Sequence, residues 1–347
     1  EKVKGIDVII SGHTHSVIDK RLIVNGVPVV QAGDYGRYVG KLSLVYENGK
    51  VKTESEDLIA VDDKIAGDAI IQGAIEEQKK LIDSEILKPL GLEYSEAIAE
   101  TDFRLECNEQ GDVEASNLGP FVADAIFSFV NKHSVEGTDV SLVATGVIRE
   151  NILPGIQSPA DIFRVMSMGR GKDNVPGYPL ARLYVTGKEL KSVLEILNVA
   201  WKSTPANYCY FSGIRVETDP EGGLLKKIKR ITVISADGKE KEVDFSRKNK
   251  TLYSLTANSY MLQFIGIIKK MSFGLINVTP KDAAGEKIYD MTTAVIDIDK
   301  NTAGVQEGKE WIAIQEYMRS MKDTNGNGIP DIDSRYRNAI RTHFPVK

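Results

Sequence analysis

Two of the chain's four histidines, His13 and His15, are separated by a single residue near the start of the sequence. They follow residues 6–10, an apolar run that predicts a short buried strand. The pair therefore lies in a tight loop at a strand's carboxyl end, where open α/β sheets place ligands and metals. Neutral imidazoles bind zinc, manganese and iron well. The pattern predicts metal ligation, and the alternative is a loop whose histidines bond only to backbone.

The residues after this loop predict more strand structure. Residues 28–33 are a second buried-strand pattern that ends in glycine, and residues 41–46 predict a third strand. Asn48-Gly49 then follows, and this dipeptide favours the type I′ turn of a β-hairpin.

This series of a Gly-His-Thr-His loop, a glycine-punctuated turn and a hairpin resembles the last portion of a metallophosphoesterase domain of the 5′-nucleotidase family. The resemblance implies that His13 and His15 each ligate one ion of a two-metal centre, with zinc, manganese or a similar divalent metal. The family takes its other ligands from earlier motifs, and only twelve residues precede His13 here. Two histidines cannot hold two cations by themselves. We therefore expect a fragment cut inside the catalytic domain, without metal-dependent phosphatase activity of its own.

Composition limits the class of protein. A chain of 347 residues with 42% hydrophobic and 27% charged residues is typical of a soluble globular protein with two domains or one large one. The net charge of −5 gives no reason to expect binding to a nucleic-acid polymer, and no apolar run reaches the length of a membrane span. Cys107 and Cys209 could be free thiols or one disulfide. The family resemblance implies a periplasmic or extracellular location.

Mixed α/β and α+β layers are expected, because strand and helix patterns alternate irregularly. We assign residues 1–60 to the remnant of a metallophosphoesterase sandwich, residues 61–94 to a connector helix and residues 95–347 to a layered C-terminal domain. The connector pattern runs from Asp62 to Leu90 and ends at Pro89 and Gly91.

Local signals set the elements of the last region. Ser116 or Asn117 caps a predicted helix that carries one apolar stripe. Residues 186–189 form a capping box, and Asp237-Gly238 turns a predicted hairpin. The final helix is predicted over residues 310–321. The order of these landmarks resembles the C-terminal substrate-recognition domain of 5′-nucleotidases, with motifs at residues 117–119, 146–149, 186–190, 212–214 and 257–260.

Four residues are candidates for holding a substrate. Arg149 follows a strand and a glycine turn, where a guanidinium can bind phosphate oxygens bidentately, the alternative being a structural ion pair. The resemblance implies that Arg149 grips nucleotide phosphates and that Tyr208 and Tyr260 clamp the base between two rings. Asn258 could donate or accept at a base edge. Core or rim packing is the alternative for both tyrosines.

The motifs also depart from the family pattern. Thr145 and Val147 stand where the family has glycines, and residues 264–266 replace a Gly-Gly-Asp-Gly turn. The resemblance implies hydrolysis of a nucleotide, cyclic nucleotide or sugar nucleotide, a small-molecule phosphoester. The alternative is a degenerate C-terminal domain that binds a non-nucleotide ligand.

A last pattern lies near the C-terminus. Asp323, Asn325 and Asn327 place oxygen side chains at positions one, three and five before Gly328, and Asp331 stands at position nine. This matches the first half of a calcium loop, but Ser334 replaces the bidentate glutamate of an EF-hand. The pattern predicts weak calcium binding, and the alternative is a polar turn.

Overall fold

The computed structural model describes residues 3–107, 111–263 and 278–339 and the backbone of residues 344–345. The chain divides into two compact units, Glu1–Lys80 and Leu81–Lys347. Within the described residues, no helix is both long and apolar enough to span a bilayer. The replaced turn at residues 264–266 lies outside the described residues.

The first unit is built from two small sheets. One sheet has the order β1-β3-β2 and the other pairs β4 with β5. The strands are β1 (Ile9–Ile10), β2 (Leu22–Val24), β3 (Val27–Val30), β4 (Tyr38–Glu47) and β5 (Lys50–Ala60).

The predicted hairpin is confirmed, because β4 and β5 pair antiparallel around Asn48 and Gly49, whose φ angles of 53° and 73° are those of a type I′ turn. The prediction of a buried first strand is wrong. Ile10 is 84% exposed, and all the residues of the two hydrophobic core clusters lie beyond residue 80 among the described residues.

The connector is helical over a shorter range than its composition predicts. Helix α1 (Ala69–Ile82) continues through one π turn and one 3₁₀ turn to Leu90, and Gly91 ends it in the left-handed region at φ 72°. The helix does not begin at Asp62, because the Asp68 side chain accepts the backbone N–H groups of Ile70 and Ile71 and so caps the start.

The second unit contains the remaining elements. Its helices are α2 (Leu118–His133), α3 (Pro159–Val165), α4 (Gly187–Ala200), α5 (Ser259–Gln263) and α6 (Glu310–Arg319). Its strands are β6 (Ala99–Thr101), β7 (Val140–Ala144), β8 (Gly155–Gln157), β9 (Leu180–Thr186), β10 (Cys209–Ser212), β11 (Ile214–Thr218), β12 (Ile228–Ile234), β13 (Glu240–Glu242), β14 (Leu252–Asn258) and β15 (Phe344–Pro345).

A mixed sheet of order β10-β7-β14-β9 forms the centre of this unit. Strand β10 is apolar on both faces, and its alternate residues enter different cores. In β14 the residues that alternate with the apolar ones are the buried polar Ser254, Thr256 and Asn258. In β7, Val143 packs with α2 and α6, whereas Leu142 packs with α4 and β12. A second sheet, β13-β12-β11-β15, lies beyond α4, and β12 and β13 form the hairpin that Asp237-Gly238 predicts.

Helix caps account for two of the predicted boundaries. Thr186 and Glu189 make the expected capping box at the start of α4. For α2, the hydroxyl of Ser116 accepts the Gly119 N–H at 3.0 Å, whereas Asn117 bonds to Glu106, Arg104 and Tyr336. Ser116 is therefore the residue that caps α2.

The two cysteines are not joined. No disulfide joins Cys107 to Cys209, and the Cys107 sulfur lies 3.4 Å from the hydroxyl of Tyr210. Cys209 is buried in the central sheet.

Candidate functional site

The histidine pair lies in the loop after β1, and both residues adopt a left-handed backbone, with φ of 67° for His13 and 56° for His15. Nδ1 of His15 lies 3.2 Å from Oδ2 of Asp34. The other carboxylate oxygen of Asp34 pairs with Arg37. A carboxylate at Nδ1 fixes the imidazole tautomer whose Nε2 can accept a proton or a cation.

These residues do not make a complete metal centre. Among the described residues, no group of three or more His, Cys, Asp or Glu side chains is placed to hold an ion. A two-metal site needs more donors than His13, His15 and Asp34 supply. Metal ligation by the two histidines therefore stays a prediction.

The turn after β7 is locked against a neighbouring turn. The backbone N–H and the hydroxyl of Thr145 both donate to the carbonyl of Tyr208, at 2.8 and 3.1 Å. Gly146 lies so close to the next turn that an added Cβ would meet the Cβ of Ala206 at 2.9 Å. Close backbone approach therefore requires glycine at position 146.

Arg149 stands at the end of this turn. Its Nη1 donates to the Gly146 carbonyl at 3.2 Å, and its backbone N–H donates to the carbonyl of Val165 at 2.8 Å. The side chain is half-buried. The guanidinium is therefore held to the Gly146 turn.

Tyr208 and Asn258 lie in the core rather than at a surface. Tyr208 is 1% exposed and packs edge-to-face against Trp201 and Tyr210, with ring centroids 5.3 and 5.0 Å apart. Asn258 is fully buried; its Nδ2 donates to both Glu310 carboxyl oxygens at 3.1 Å, and its Oδ1 accepts the Met261 N–H. Neither side chain is exposed for the base contacts predicted for it, and the packing alternative applies to Tyr208.

Tyr260 is the one predicted ring that reaches the surface. It is 38% exposed and stacks on Tyr178, with centroids 5.2 Å apart and planes at 12°. Tyr178 itself covers Gly169, where an added Cβ would meet the ring at 2.2 Å. Tyr178 was not predicted, because no local pattern marks a partner 82 residues from Tyr260.

Below Tyr260 lies a cavity of about 260 Å³. Its wall comes from β7, β10 and β14, from α4 and α5 and from the turn at residues 205–207. Most of the wall is aliphatic, including Leu142, Val147, Met168, Ile196, Leu255 and Met261, and Gly146 belongs to it. Arg149, which bonds to the Gly146 carbonyl, is therefore tied to the wall of the cavity that Tyr260 also lines.

A buried carboxyl lies next to the start of α5, the short helix that carries Tyr260. Glu310 is 2% exposed, and burial raises its pKa to about 8 although the hydrogen bonds from Asn258 lower it. Because Asn258 also accepts the N–H of Met261, this carboxyl indirectly holds the first turn of α5.

The glycine-rich loop at residues 168–174 is fastened by a buried cation. The Lys309 ammonium is fully buried and donates to Asp173 at 2.9 Å and to Glu307 at 2.6 Å. Glu307 also accepts the Lys172 N–H, and a Cβ at Gly171 would overlap both Glu307 and Lys309. The loop is therefore anchored to the residues just before α6.

The predicted calcium loop is an ordered polar turn. Asp323 accepts the N–H groups of Gly326 and Gly328, which lower its pKa, and the side chains of Asn325 and Asn327 donate to Glu100 of β6. Asp331 accepts from the backbone and hydroxyl of Thr324.

Calcium binding to this turn stays a prediction. For a dissociation constant of about 1 mM, 10 mM Ca²⁺ should raise the melting temperature by roughly 3–5 °C. Asp323→Asn, which removes the charge and keeps an acceptor, should abolish the rise. A melting temperature that Ca²⁺ leaves unchanged in thermal unfolding would contradict the prediction.

Comparison with known proteins identifies related sequences. Residues 97–266 match the family model of the 5′-nucleotidase C-terminal domain. The chain is 29% identical over 205 residues to the trifunctional nucleotide phosphoesterase protein YfkN of Bacillus subtilis, covering 56% of this chain and 13% of that protein. It is 28% identical over 212 residues to a 5′-nucleotidase of Vibrio parahaemolyticus, covering 56% of this chain and 34% of that protein. The chain therefore spans well under half of either relative.

A solved structure shares the fold. The 5′-nucleotidase precursor of Thermus thermophilus superposes with a TM-score of 0.59 at 18% identity, over 94% of this chain and 59% of that one.

Proposed function

We propose that the chain is the substrate-recognition part of a 5′-nucleotidase-like, metal-dependent phosphoester hydrolase. The match of residues 97–266 to the family model of the 5′-nucleotidase C-terminal domain supports this proposal. The substrate is a small phosphoester such as a nucleotide, a cyclic nucleotide or a sugar nucleotide. The proposal includes export to the periplasm or the cell exterior. It also includes the inactivity of this chain alone, because no group of three or more candidate metal ligands is found among the described residues.

The proposal rests on the placement of Arg149 and Tyr260 at one cavity. Arg149 bonds to the Gly146 carbonyl, and Gly146 and Tyr260 line one cavity. A guanidinium bonded to the backbone of a wall residue can take phosphate oxygens, and an aromatic ring that lines the cavity can contact the rest of the ligand. Such a site binds and orients a phosphoester, and the reaction itself needs metals that these residues do not hold.

The burial of Tyr208 and Asn258 favours the alternative, a binding module for a non-nucleotide ligand. Both residues were candidates for contacting a nucleobase, and neither is exposed to do so. The two functions differ in what they require of Arg149. Recognition of a phosphoester needs the guanidinium, whereas a module for an uncharged ligand does not.

Arg149→Met should weaken the binding of adenosine monophosphate by about 10- to 100-fold and leave adenosine within about twofold, because only the phosphate engages the guanidinium. Titration calorimetry of both ligands measures the difference. Arg164→Met is the matched control, since Arg164 lies exposed on α3 in a pair with Asp161. Equal losses for nucleotide and nucleoside, or no loss for either, would contradict the proposal.

A further inference from the structure

We propose that the aliphatic cavity below Tyr260 binds an uncharged, apolar group of a phosphoester whose phosphate stays outside at Arg149. The inference rests on the proposed function and names its substrate class. Among small phosphoesters, those with a hydrocarbon-like leaving group bind more tightly than those with a purine or pyrimidine nucleoside.

The wall chemistry is the first support. Among the sixteen described residues of the wall, none is Asp, Glu, Lys or Arg. Cys209 is neutral at physiological pH, because burial raises its pKa to about 12, and its thiol bonds to the Asn207 carbonyl. A nucleobase placed here would lose hydrogen bonds to water without replacing most of them, whereas a hydrocarbon loses none.

Two polar side chains near this end of the sheet, those of Thr145 and Asn258, are the second support, because they are bonded elsewhere. The hydroxyl of Thr145 donates to the Tyr208 carbonyl, and Asn258 bonds to Glu310. The alternation of side chains along a strand explains why Tyr208 and Asn258 do not line the cavity. Cys209 and Leu255 face the cavity, so Tyr208 and Asn258, at odd separations from them, face the opposite layer.

The volume of the cavity and the residues at its opening define the shape of the ligand. A volume of about 260 Å³ lies just below the usual range of about 300–1,000 Å³ for ligand pockets, which suits a compact apolar group. Tyr260 is partly exposed at the rim, and Arg149 is tied to Gly146 of the wall. The matching ligand is therefore an amphiphile with an apolar body and an anionic head.

A series of straight-chain alkyl phosphates tests the inference. We expect the dissociation constant of the wild-type chain, measured by calorimetry below the aggregation concentration of each probe, to fall about three- to fourfold per methylene from ethyl to hexyl phosphate. The gain should stop once the cavity is full. The wild-type series needs no variant that might fail to fold.

Two substitutions on one helix turn locate the site. Ala200 is a half-buried wall residue of α4, so Ala200→Phe should fill the cavity and flatten the chain-length dependence. Val199→Phe adds the same ring next to it, outside the wall, and should leave the dependence intact. A dependence that survives Ala200→Phe would place the hydrocarbon elsewhere and overturn the inference.

The outcomes of these experiments distinguish a failure of this inference from a failure of the proposed function. If adenosine monophosphate binds with the expected Arg149 dependence and the alkyl series is flat, the apolar substrate class is wrong and the proposed function stands. If hexanol binds as tightly as hexyl phosphate and Arg149→Met changes neither, the cavity is apolar but phosphoester recognition is wrong.

Discussion

Glu310→Gln should make the second unit more stable than the wild type at pH 8 while leaving the two similar at pH 5. The chain's two tryptophans, Trp201 and Trp311, both lie in this unit, so urea unfolding followed by tryptophan fluorescence reports its stability. The expected change in the difference between variant and wild type is on the order of 4 kcal/mol across this range.

The reason is the buried carboxyl. Burial raises the folded-state pKa of Glu310 from 4.5 to about 8. Below pH 4.5 the group is protonated in both states, and above pH 8 it is ionised in both. Between these values only the folded state holds the proton, so wild-type stability falls as the pH rises through this window. Glutamine does not titrate and removes this contribution.

Glu189→Gln is the control for this experiment. Burial raises the pKa of Glu189, but hydrogen bonds from Lys281 and Thr186 outweigh it and leave the pKa below 4.5. Its contribution is present above that value and is lost only at lower pH, so the variant should lose the same free energy at pH 5 and pH 8. A Glu310→Gln difference that is equally flat would show that Glu310 is ionised in the folded protein.

Lys309→Met should destabilise the same unit by about 3–5 kcal/mol. The substitution leaves Glu307, whose side chain is 5% exposed, without its buried cation, and it also releases Asp173. The loop at residues 168–174 then loses its anchor. Urea unfolding at pH 7, followed by tryptophan fluorescence, measures the loss.

A double variant distinguishes the loss of the Lys309–Glu307 ion pair from a simple loss of packing. Lys309→Met combined with Glu307→Gln removes both charges and keeps an acceptor for the Lys172 N–H, so the double variant should be more stable than Lys309→Met alone. Lys132→Met removes an exposed partner of Glu316 and should cost less than about 1 kcal/mol. A double variant as unstable as the sum of its singles would contradict the electrostatic explanation.

Much of the fold follows from local patterns in the sequence. The capping box at Thr186 and Glu189 and the turn at Asn48-Gly49 are each specified by a few adjacent residues, and the structure has both. The stripe of α2 is likewise a local periodicity. These signals need no knowledge of what packs on them.

The site was less predictable, because it depends on which layer each strand residue faces. Residues 208–211 are Tyr-Cys-Tyr-Phe, apolar at every position, so the sequence shows a strand buried on both sides without saying which face meets the cavity. Tyr208 and Asn258 matched family positions and yet lie toward α2 and α6.

The missed residues act through distant partners. Glu310 meets Asn258 across 52 residues, and Lys309 meets Asp173 across 136. No spacing rule joins such positions. Asp68 is different, because an aspartate directly before an apolar run is a capping signal that would have placed the start of α1.

The location of Trp201 has a practical consequence. This indole directly follows Ala200 of the cavity wall and packs edge-on against Tyr208, whose carbonyl fixes the turn before Arg149. We therefore expect entry of a guest molecule beside Ala200 to change the fluorescence of Trp201. The chain thus carries its own optical reporter for screening compounds without labels.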